Sequence, residues 1–257
     1  MTQEQRREYL IGALLNERGE TAELPQDERA QRRLLRALFN VRGPKPIDAE
    51  FLRVQDEYLQ EVIREKGVTR LCDLTPVQGD LYLWQGDITT LECDGIVNAA
   101  NSQMLGCFCP NHGCIDNAIH TYAGVQLRAE CNELMRAQGR PERVGTAKIT
   151  KAYNLPCKYV LHTVGPVAYG GLNAEIESAL ASCYTACLRL ADEHGLKSIA
   201  FCCVSTGEFG FPNARAAEIA VATVNEYKAK TLSAIKVIFN VFKDLDRNIY
   251  EGVMRNS

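Results

Sequence analysis

The chain has 257 residues, of which 46% are hydrophobic and 24% charged, and its formal net charge is −3 at pH 7. This composition is typical of a globular protein with a sizeable core, and the negative charge argues against non-specific nucleic-acid binding, which usually needs a basic face. Residues 1–7 have no apolar core of the signal-peptide type, and no apolar stretch approaches the length of a membrane span. The 11 cysteines, many in apolar runs, are typical of a reducing compartment, so we expect a cytoplasmic protein without a membrane partner.

Residues 1–75 are expected to form an N-terminal helical extension. Apolar residues recur at helical spacing over 3–17, 26–40 and 48–66, and segments rich in proline and glycine separate these stretches. The many charged residues of the extension most simply form a solvated face, and a partner-docking surface is the alternative.

Residues 76–257 show short apolar runs that alternate with helical ones. The predicted elements are strands over 80–85, 95–99, 144–150, 158–164, 198–204 and 235–242, and helices over 115–137, 173–194, 212–229 and 244–255. This alternation predicts a three-layer α/β/α sandwich around a largely parallel sheet. Ligands of such sheets bind beyond the carboxyl ends of the strands, so polar segments that follow strands should meet in one crevice.

Residues 106–120 form the most informative segment. Cys107, His112 and Cys114 are close enough in sequence to bind one ion, and thiolate and imidazole ligands together favour zinc. Three protein ligands leave a position for water or substrate, which is typical of catalytic zinc. Asp116, near the predicted start of a helix, would then lie beside the metal. The alternatives are buried free thiols and, for Asp116, an acid that favours the helix N-terminus.

Three other segments follow predicted strands. Asp87 could accept a hydrogen bond from a base or ribose, or could simply cap a turn. Asn98 and Asn101 flank two alanines, where a ligand could approach closely, although a plain turn would look the same. Residues 205–212 contain two glycines and precede a helix, so they could direct backbone N–H groups at a diphosphate or could form a glycine turn.

Three remaining residues have a simple structural interpretation. His162 lies in an apolar strand and is expected to be a core histidine, and His120, one turn after Asp116, is expected to be packed rather than a ligand. Phe242 ends the last strand, where it could either stack on a base or pack in the core.

Taken in order, Gly86-Asp87-Ile88-Thr89, Val97-Asn98-Ala99-Ala100-Asn101 and Ser205-Thr206-Gly207-Glu208-Phe209-Gly210-Phe211-Pro212 resemble the three signature segments of the macrodomain, an α/β/α fold that binds ADP-ribose. The resemblance covers roughly residues 75–250 and would make 76–257 the macrodomain. The segment 106–120 is similar to that of zinc-containing macrodomains of bacteria and fungi, which are ADP-ribosyl hydrolases related to the MacroD type. Those proteins also carry an N-terminal helical extension, and in bacteria are often encoded beside a sirtuin-type ADP-ribosyltransferase and a lipoylated carrier related to glycine-cleavage H protein.

The resemblance implies a role for each matching position. The residues that would contact ADP-ribose are Asp87, Ile88, Asn101, Cys114, Ile115, Asp116, Asn117, Ser205, Thr206, Gly207, Glu208, Phe209, Phe211 and Phe242. Asp87 would bind the adenine amino group, residues 205–209 would surround the diphosphate, and Asn101 and Phe211 would lie at the distal ribose. One zinc ion per chain would be held by Cys107, His112 and Cys114.

The expected function is zinc-dependent removal of mono-ADP-ribose from protein side chains, with Asp116 and Asn101 as catalytic residues, Asp or Glu esters as the linkage and ADP-ribose as the product. One alternative is a reader that binds ADP-ribosylated proteins without cleaving them. Another is a hydrolase of free ADP-ribose derivatives with structural zinc. Cys109 stands where the family usually has an apolar residue, and as a fourth ligand it would close the metal site, but crowding favours an open one.

Overall fold

The N-terminal extension consists of three helices. The computed structural model describes residues 1–21 and 23–255, and the helices are α1 (Gln3–Glu17), α2 (Glu28–Val41) and α3 (Ala49–Lys66). The side chain of Asp27 accepts the hydrogen bond that caps α2, and that of Asp48 caps α3. The three predicted helices are therefore confirmed, with boundaries that differ by at most two residues.

The extension has its own hydrophobic core, which continues onto the rest of the chain. Buried side chains of all three helices pack together, including Leu10, Leu35 and Phe51, and Tyr122 and Val125 of the following domain pack against them. The extension is thus held to its neighbour by apolar contact as well as by hydrogen bonds.

The rest of the chain is built on a seven-stranded sheet. Short strands β1 (Thr69–Arg70) and β4 (Leu91–Glu92) pair separately, and the large sheet contains β2 (Pro76–Gln78), β3 (Leu81–Gln85), β5 (Gly95–Ala100), β6 (Ala147–Lys151), β7 (Tyr159–Val164), β8 (Ser198–Phe201) and β9 (Lys236–Val241). Its order is β2-β3-β9-β8-β5-β7-β6, with parallel pairing throughout the centre and antiparallel pairing of the two edge strands.

Helices cover both faces of this sheet. They are α4 (Ile115–Ala123), α5 (Val125–Gln138), α6 (Ala174–Glu193), α7 (Asn213–Thr231) and α8 (Asp244–Arg255). Helix α7 packs between α6 and α8, whereas α4 packs with α5 and with the extension. The three-layer α/β/α architecture with a mixed, largely parallel sheet is confirmed. Within residues 1–21 and 23–255, no helix combines the length and apolarity needed to cross a membrane.

Three sequence predictions need correction. The helix predicted over 115–137 is two helices, because Gly124 has a φ of +96° and cannot continue a right-handed helix, although the apolar spacing runs through it. The strand predicted over 198–204 ends at Phe201, since the apolar run continues into a buried loop. The strand predicted over 144–150 begins only at Ala147 and is antiparallel to β7.

Candidate functional site

The polar segments that follow the strands meet at the carboxyl edge of the sheet. Asn98 and Asn101 at the end of β5 both reach Asp116, with Nδ2 atoms 2.8 and 3.4 Å from its carboxylate oxygens. Glu208 lies in the loop after β8, and its Oε1 is 3.5 Å from Nε2 of His112. Two loops distant in sequence, one after β5 and one after β8, therefore come together, as expected for parallel strands.

Cys107, His112 and Cys114 lie close enough together to bind one ion. Their sulfur and nitrogen atoms are all within 4.8 Å of one another, and Cys107 Sγ is 3.6 Å from His112 Nδ1. For tetrahedral zinc, Zn–S and Zn–N bonds of ordinary length place sulfur and nitrogen about 3.6 Å apart. The donor set therefore fits zinc in both chemistry and spacing. Cys109 is exposed and lies outside this group.

The surroundings of the Cys114 thiol disfavour an uncompensated negative charge on its sulfur. Burial raises the pKa of Cys114 to about 12, and the neighbouring Cys107 and Asp116 raise it as well, while a hydrogen bond from the backbone N–H of Asn117 acts in the opposite direction. A thiolate at this position needs a compensating positive charge, and a divalent ion bound by the three donors would provide it.

Asp116 is a buried acid in the first turn of α4, with only 5% of its surface exposed. Burial raises the pKa of Asp116 to about 6, although the hydrogen bond from Asn98 and the positive charge of Arg128 lower it. His120 Nε2 lies 3.6 Å from its carboxylate. A buried carboxyl group whose pKa is raised in this way is suited to proton transfer.

His162 lies behind Asp116 and is a neutral core histidine, as predicted. Asn98 Nδ2 is 3.1 Å from His162 Nδ1 and also donates to Asp116, and Thr150 Oγ1 is 2.9 Å from His162 Nε2. Because the Asn98 amide donates to Nδ1, the ring carries its proton on Nε2. Burial lowers the pKa of His162 to about 3. His120 is also packed, and burial holds its pKa well below the ordinary range.

The low pKa of His162 predicts a loss of stability in mild acid. Below pH 6.5 the unfolded chain protonates this histidine while the native state does not, so stability falls as pH drops from 6.5 toward 3, by roughly 1 kcal/mol per pH unit. Denaturant unfolding at several pH values should give a shallower dependence for His162→Gln than for the unaltered protein. Parallel curves for the two proteins would contradict the assignment.

The loop after β8 has the properties of an anion-binding loop. Ser205 has a φ of +66° and its Oγ is buried without a hydrogen-bond partner. Hydrogen bonds from Phe211 N to Ser205 O and from Gly210 N to Gly207 O close the loop. Among residues 1–21 and 23–255, the backbone N–H groups of 207–209 have no acceptor. They are free to bind anionic oxygens, so diphosphate binding by this loop stays a prediction.

The two aromatic residues proposed for ligand contact lie in different environments. Phe242 is 73% exposed after β9 and is accessible to a planar ligand, whereas Phe211 is 1% exposed within the hydrophobic core. Tyr169, which the sequence reasoning did not identify, is also 73% exposed and lies directly over Gly210. It follows strand β7, so the rule that ligands bind beyond strand ends could have identified it.

Asp87 follows strand β3 and has several partners. Lys66, the last residue of α3, places Nζ 2.5 Å from Asp87 Oδ2, and the backbone and hydroxyl of Thr89 donate to Oδ1. Although burial acts to raise it, these hydrogen bonds and the charge of Lys66 hold the pKa of Asp87 below its usual value. The spacing of apolar residues in the extension predicts a helix that contains Lys66, but it does not predict the contact between Lys66 and Asp87.

Comparison with known proteins identifies the family of this fold. The family model of the Macro domain matches residues 97–220. A protein-ADP-ribose hydrolase from Treponema medium is 57% identical over 99% of this chain and 100% of its own length. One from Staphylococcus aureus (strain MSSA476) is 51% identical over 96% of this chain and 94% of its own length. A Trypanosoma brucei macrodomain, solved as a crystal structure in complex with ADP-ribose, has 32% sequence identity to this chain and superposes with a TM-score of 0.65. The match covers 81% of this chain and 91% of that one. The chain therefore belongs to the macrodomain family, and relatives that match it over nearly their whole length are named protein-ADP-ribose hydrolases.

Proposed function

We propose that this protein is a zinc-dependent hydrolase that removes mono-ADP-ribose from modified protein side chains and releases ADP-ribose. The observation that carries the proposal is the position of Asp116, a buried acid with a pKa near 6, directly after a Cys/His/Cys group suited to zinc. A protein that only bound ADP-ribose would need neither feature. The names of its full-length relatives support the same activity.

The ligand would extend along the crevice from Asp87 to Asp116. Asp87, with the backbone of Ile88, would bind the adenine amino group, and the exposed ring of Phe242 would stack on the base. The free N–H groups of residues 207–209, with Ser205 and Thr206, would bind the diphosphate. This placement leaves the distal ribose at Asn101.

The first turn of α4 would contact the distal ribose through Cys114, Ile115, Asp116 and Asn117. Asn101 would bind a ribose hydroxyl while its Nδ2 remains near Asp116 Oδ2, 3.4 Å away. Asp116 would accept the proton of the attacking water, and the bond from Asn98 would hold its carboxylate in place. Zinc bound to Cys107, His112 and Cys114 would supply Lewis acidity for a ribose oxygen or for water.

We propose an ester of Asp or Glu as the linkage, so that water yields free ADP-ribose and restores the side-chain carboxylate. Attack at the anomeric carbon places the oxygen of water on ADP-ribose, whereas attack at the acyl carbon places it on the protein. Hydrolysis in isotopically labelled water distinguishes the two. Because of the resemblance to macrodomains encoded beside a lipoylated carrier, such a carrier in the cytoplasm is the first natural substrate to test.

The direct test is release of ADP-ribose from an automodified ADP-ribosyltransferase, with and without a chelator, together with metal analysis of the purified protein. We expect one zinc per chain, release of free ADP-ribose, and loss of the activity after chelation. Bound but uncleaved substrate would instead indicate a reader module. Full activity of a metal-free protein would contradict the zinc requirement.

A further inference from the structure

The N-terminal extension reaches the proposed metal site through helix α2. We infer that Arg36 and Asn40 of this helix are positioning residues that hold the loop carrying the zinc ligands. This inference rests on the proposed zinc site and adds to it a role for the extension that the ligand residues alone do not give.

Arg36 links the loop to the first turn of α4. Its Nη2 donates to the carbonyl oxygen of His112 at 2.9 Å and to Oδ1 of Asn117 at 2.8 Å, and its Nε is 3.3 Å from the same Oδ1. A guanidinium suits this task because its planar donors have a fixed geometry. One side chain of the extension thus contacts the backbone of a proposed metal ligand directly.

Asn117 connects Arg36 to the other two ligands. Its Nδ2 donates to the carbonyl oxygens of Cys109 and Cys107 at 3.0 and 3.4 Å, and its backbone N–H donates to Cys114 Sγ at 3.4 Å. Arg36 and Asn117 together therefore reach Cys107, His112 and Cys114. The orientation of the Asn117 amide is set by Arg36, since a guanidinium has donors only and requires the amide oxygen.

Asn40 holds the turn of the loop. It is 1% exposed, its Oδ1 accepts from the backbone N–H of Asn111 at 2.9 Å, and its Nδ2 donates to Thr121 Oγ1 at 2.9 Å. Asn111 has a φ of +55°, in the left-handed region that asparagine adopts more readily than most residues with a side chain. The bond to Asn40 stabilises that conformation immediately before His112.

The loop has little regular secondary structure that could hold the zinc ligands in place by itself. The segment from the end of β5 to the start of α4 is irregular, and within 107–114 a backbone hydrogen bond runs from His112 N to Cys109 O. A loop fixed before metal binding loses less conformational entropy when the metal binds. Loss of partners that orient metal ligands typically lowers metal affinity by about 10- to 100-fold.

The test is zinc affinity, measured by competition with a chromophoric chelator, for the full chain and for Arg36→Met. Methionine keeps the apolar stem but has no donors, and we expect zinc to bind about 10- to 100-fold more weakly. The matched control is Arg33→Met on the same helix, because Arg33 is exposed and makes no hydrogen bond or ion pair within the described part of the chain. Zinc affinity of this control should equal that of the unaltered protein.

Thermal melting of each metal-free variant separates a positioning role from a failure to fold. Unchanged zinc affinity in folded Arg36→Met would overturn the inference. If that variant does not fold, Arg36→Lys serves instead, because lysine keeps the charge but cannot bridge His112 and Asn117 with fixed geometry, and weaker zinc binding is again expected. An unaltered protein without measurable zinc affinity would overturn the proposed metal site itself, whatever the variants do.

Discussion

Replacement of Asp116 by asparagine is expected to lower ADP-ribose release by about 10²- to 10⁴-fold, the usual effect of losing a general acid or base. Asparagine has nearly the same shape, and its oxygen can still accept the hydrogen bond from Asn98 that now reaches the carboxylate at 2.8 Å. The variant should therefore fold, but its amide cannot take a proton from water. The rate is measured by release of ADP-ribose from a modified protein under single-turnover conditions.

Binding of free ADP-ribose to Asp116→Asn should be nearly unchanged, because Asp87 and residues 205–209 would supply most of the contacts. Isothermal titration of product measures this directly. The matched control is Asp80→Asn, since Asp80 precedes β3 and therefore lies at the amino edge of the sheet, away from the crevice. An Asp116→Asn enzyme that turns over at the normal rate would remove Asp116 from the mechanism.

Much of the site could be predicted because its signals are local in sequence. Cys107, His112 and Cys114 lie within eight positions of one another, so their ability to share an ion depends little on the rest of the fold. The order of strands and helices along the chain could also be predicted, because short apolar runs alternate with segments of helical spacing. Parallel strands then bring their carboxyl ends to the same edge without knowledge of strand order.

The contribution of the extension could not be predicted, because it depends on how α2 and α3 dock. Arg36 contacts residues 76 and 81 positions away, and Lys66 contacts Asp87 from 21 positions away. On an amphipathic helix, such cations look the same as those of a solvated face. Only the burial of apolar residues from both parts of the chain decides which polar side chains face the neighbouring domain.

The aromatic residues show a second limit of sequence reasoning. Phe211 and Phe242 both follow strands and both were assigned to the ligand, yet the first is 1% exposed and the second 73%. Apolar character alone does not distinguish a core position from a base-stacking position, because both favour removal of the ring from water. Phe211 belongs to the main hydrophobic core and Phe242 does not, and the residue pattern alone does not show this.

Replacement of Cys107 by serine should remove both zinc and activity from a protein that remains folded. Serine is a poor zinc ligand at neutral pH, and the two remaining donors, His112 and Cys114, do not complete a site. The expected loss of hydrolysis is about 10²-fold or more, comparable to removal of a preorganised electrophile. Metal content by mass spectrometry and the rate of ADP-ribose release measure the two effects in one preparation.

Two further cysteine variants serve as controls for Cys107→Ser. Cys72→Ser, at an exposed position before the large sheet, controls for the loss of a thiol. Cys109→Ser tests whether the zinc has a fourth protein ligand. Because Cys109 is exposed and outside the cluster of donors, Cys109→Ser should keep zinc and activity. Loss of zinc in that variant would mean a closed shell with no position for water or substrate. The metal would be structural if Cys107→Ser melted at the same lowered temperature as the chelated unaltered protein and still hydrolysed its substrate below that temperature. If the zinc site is open and lies beside Asp116, Cys107→Ser should fold but not hydrolyse its substrate. Folding should persist because the large core between sheet and helices contains no residue of the loop 106–114.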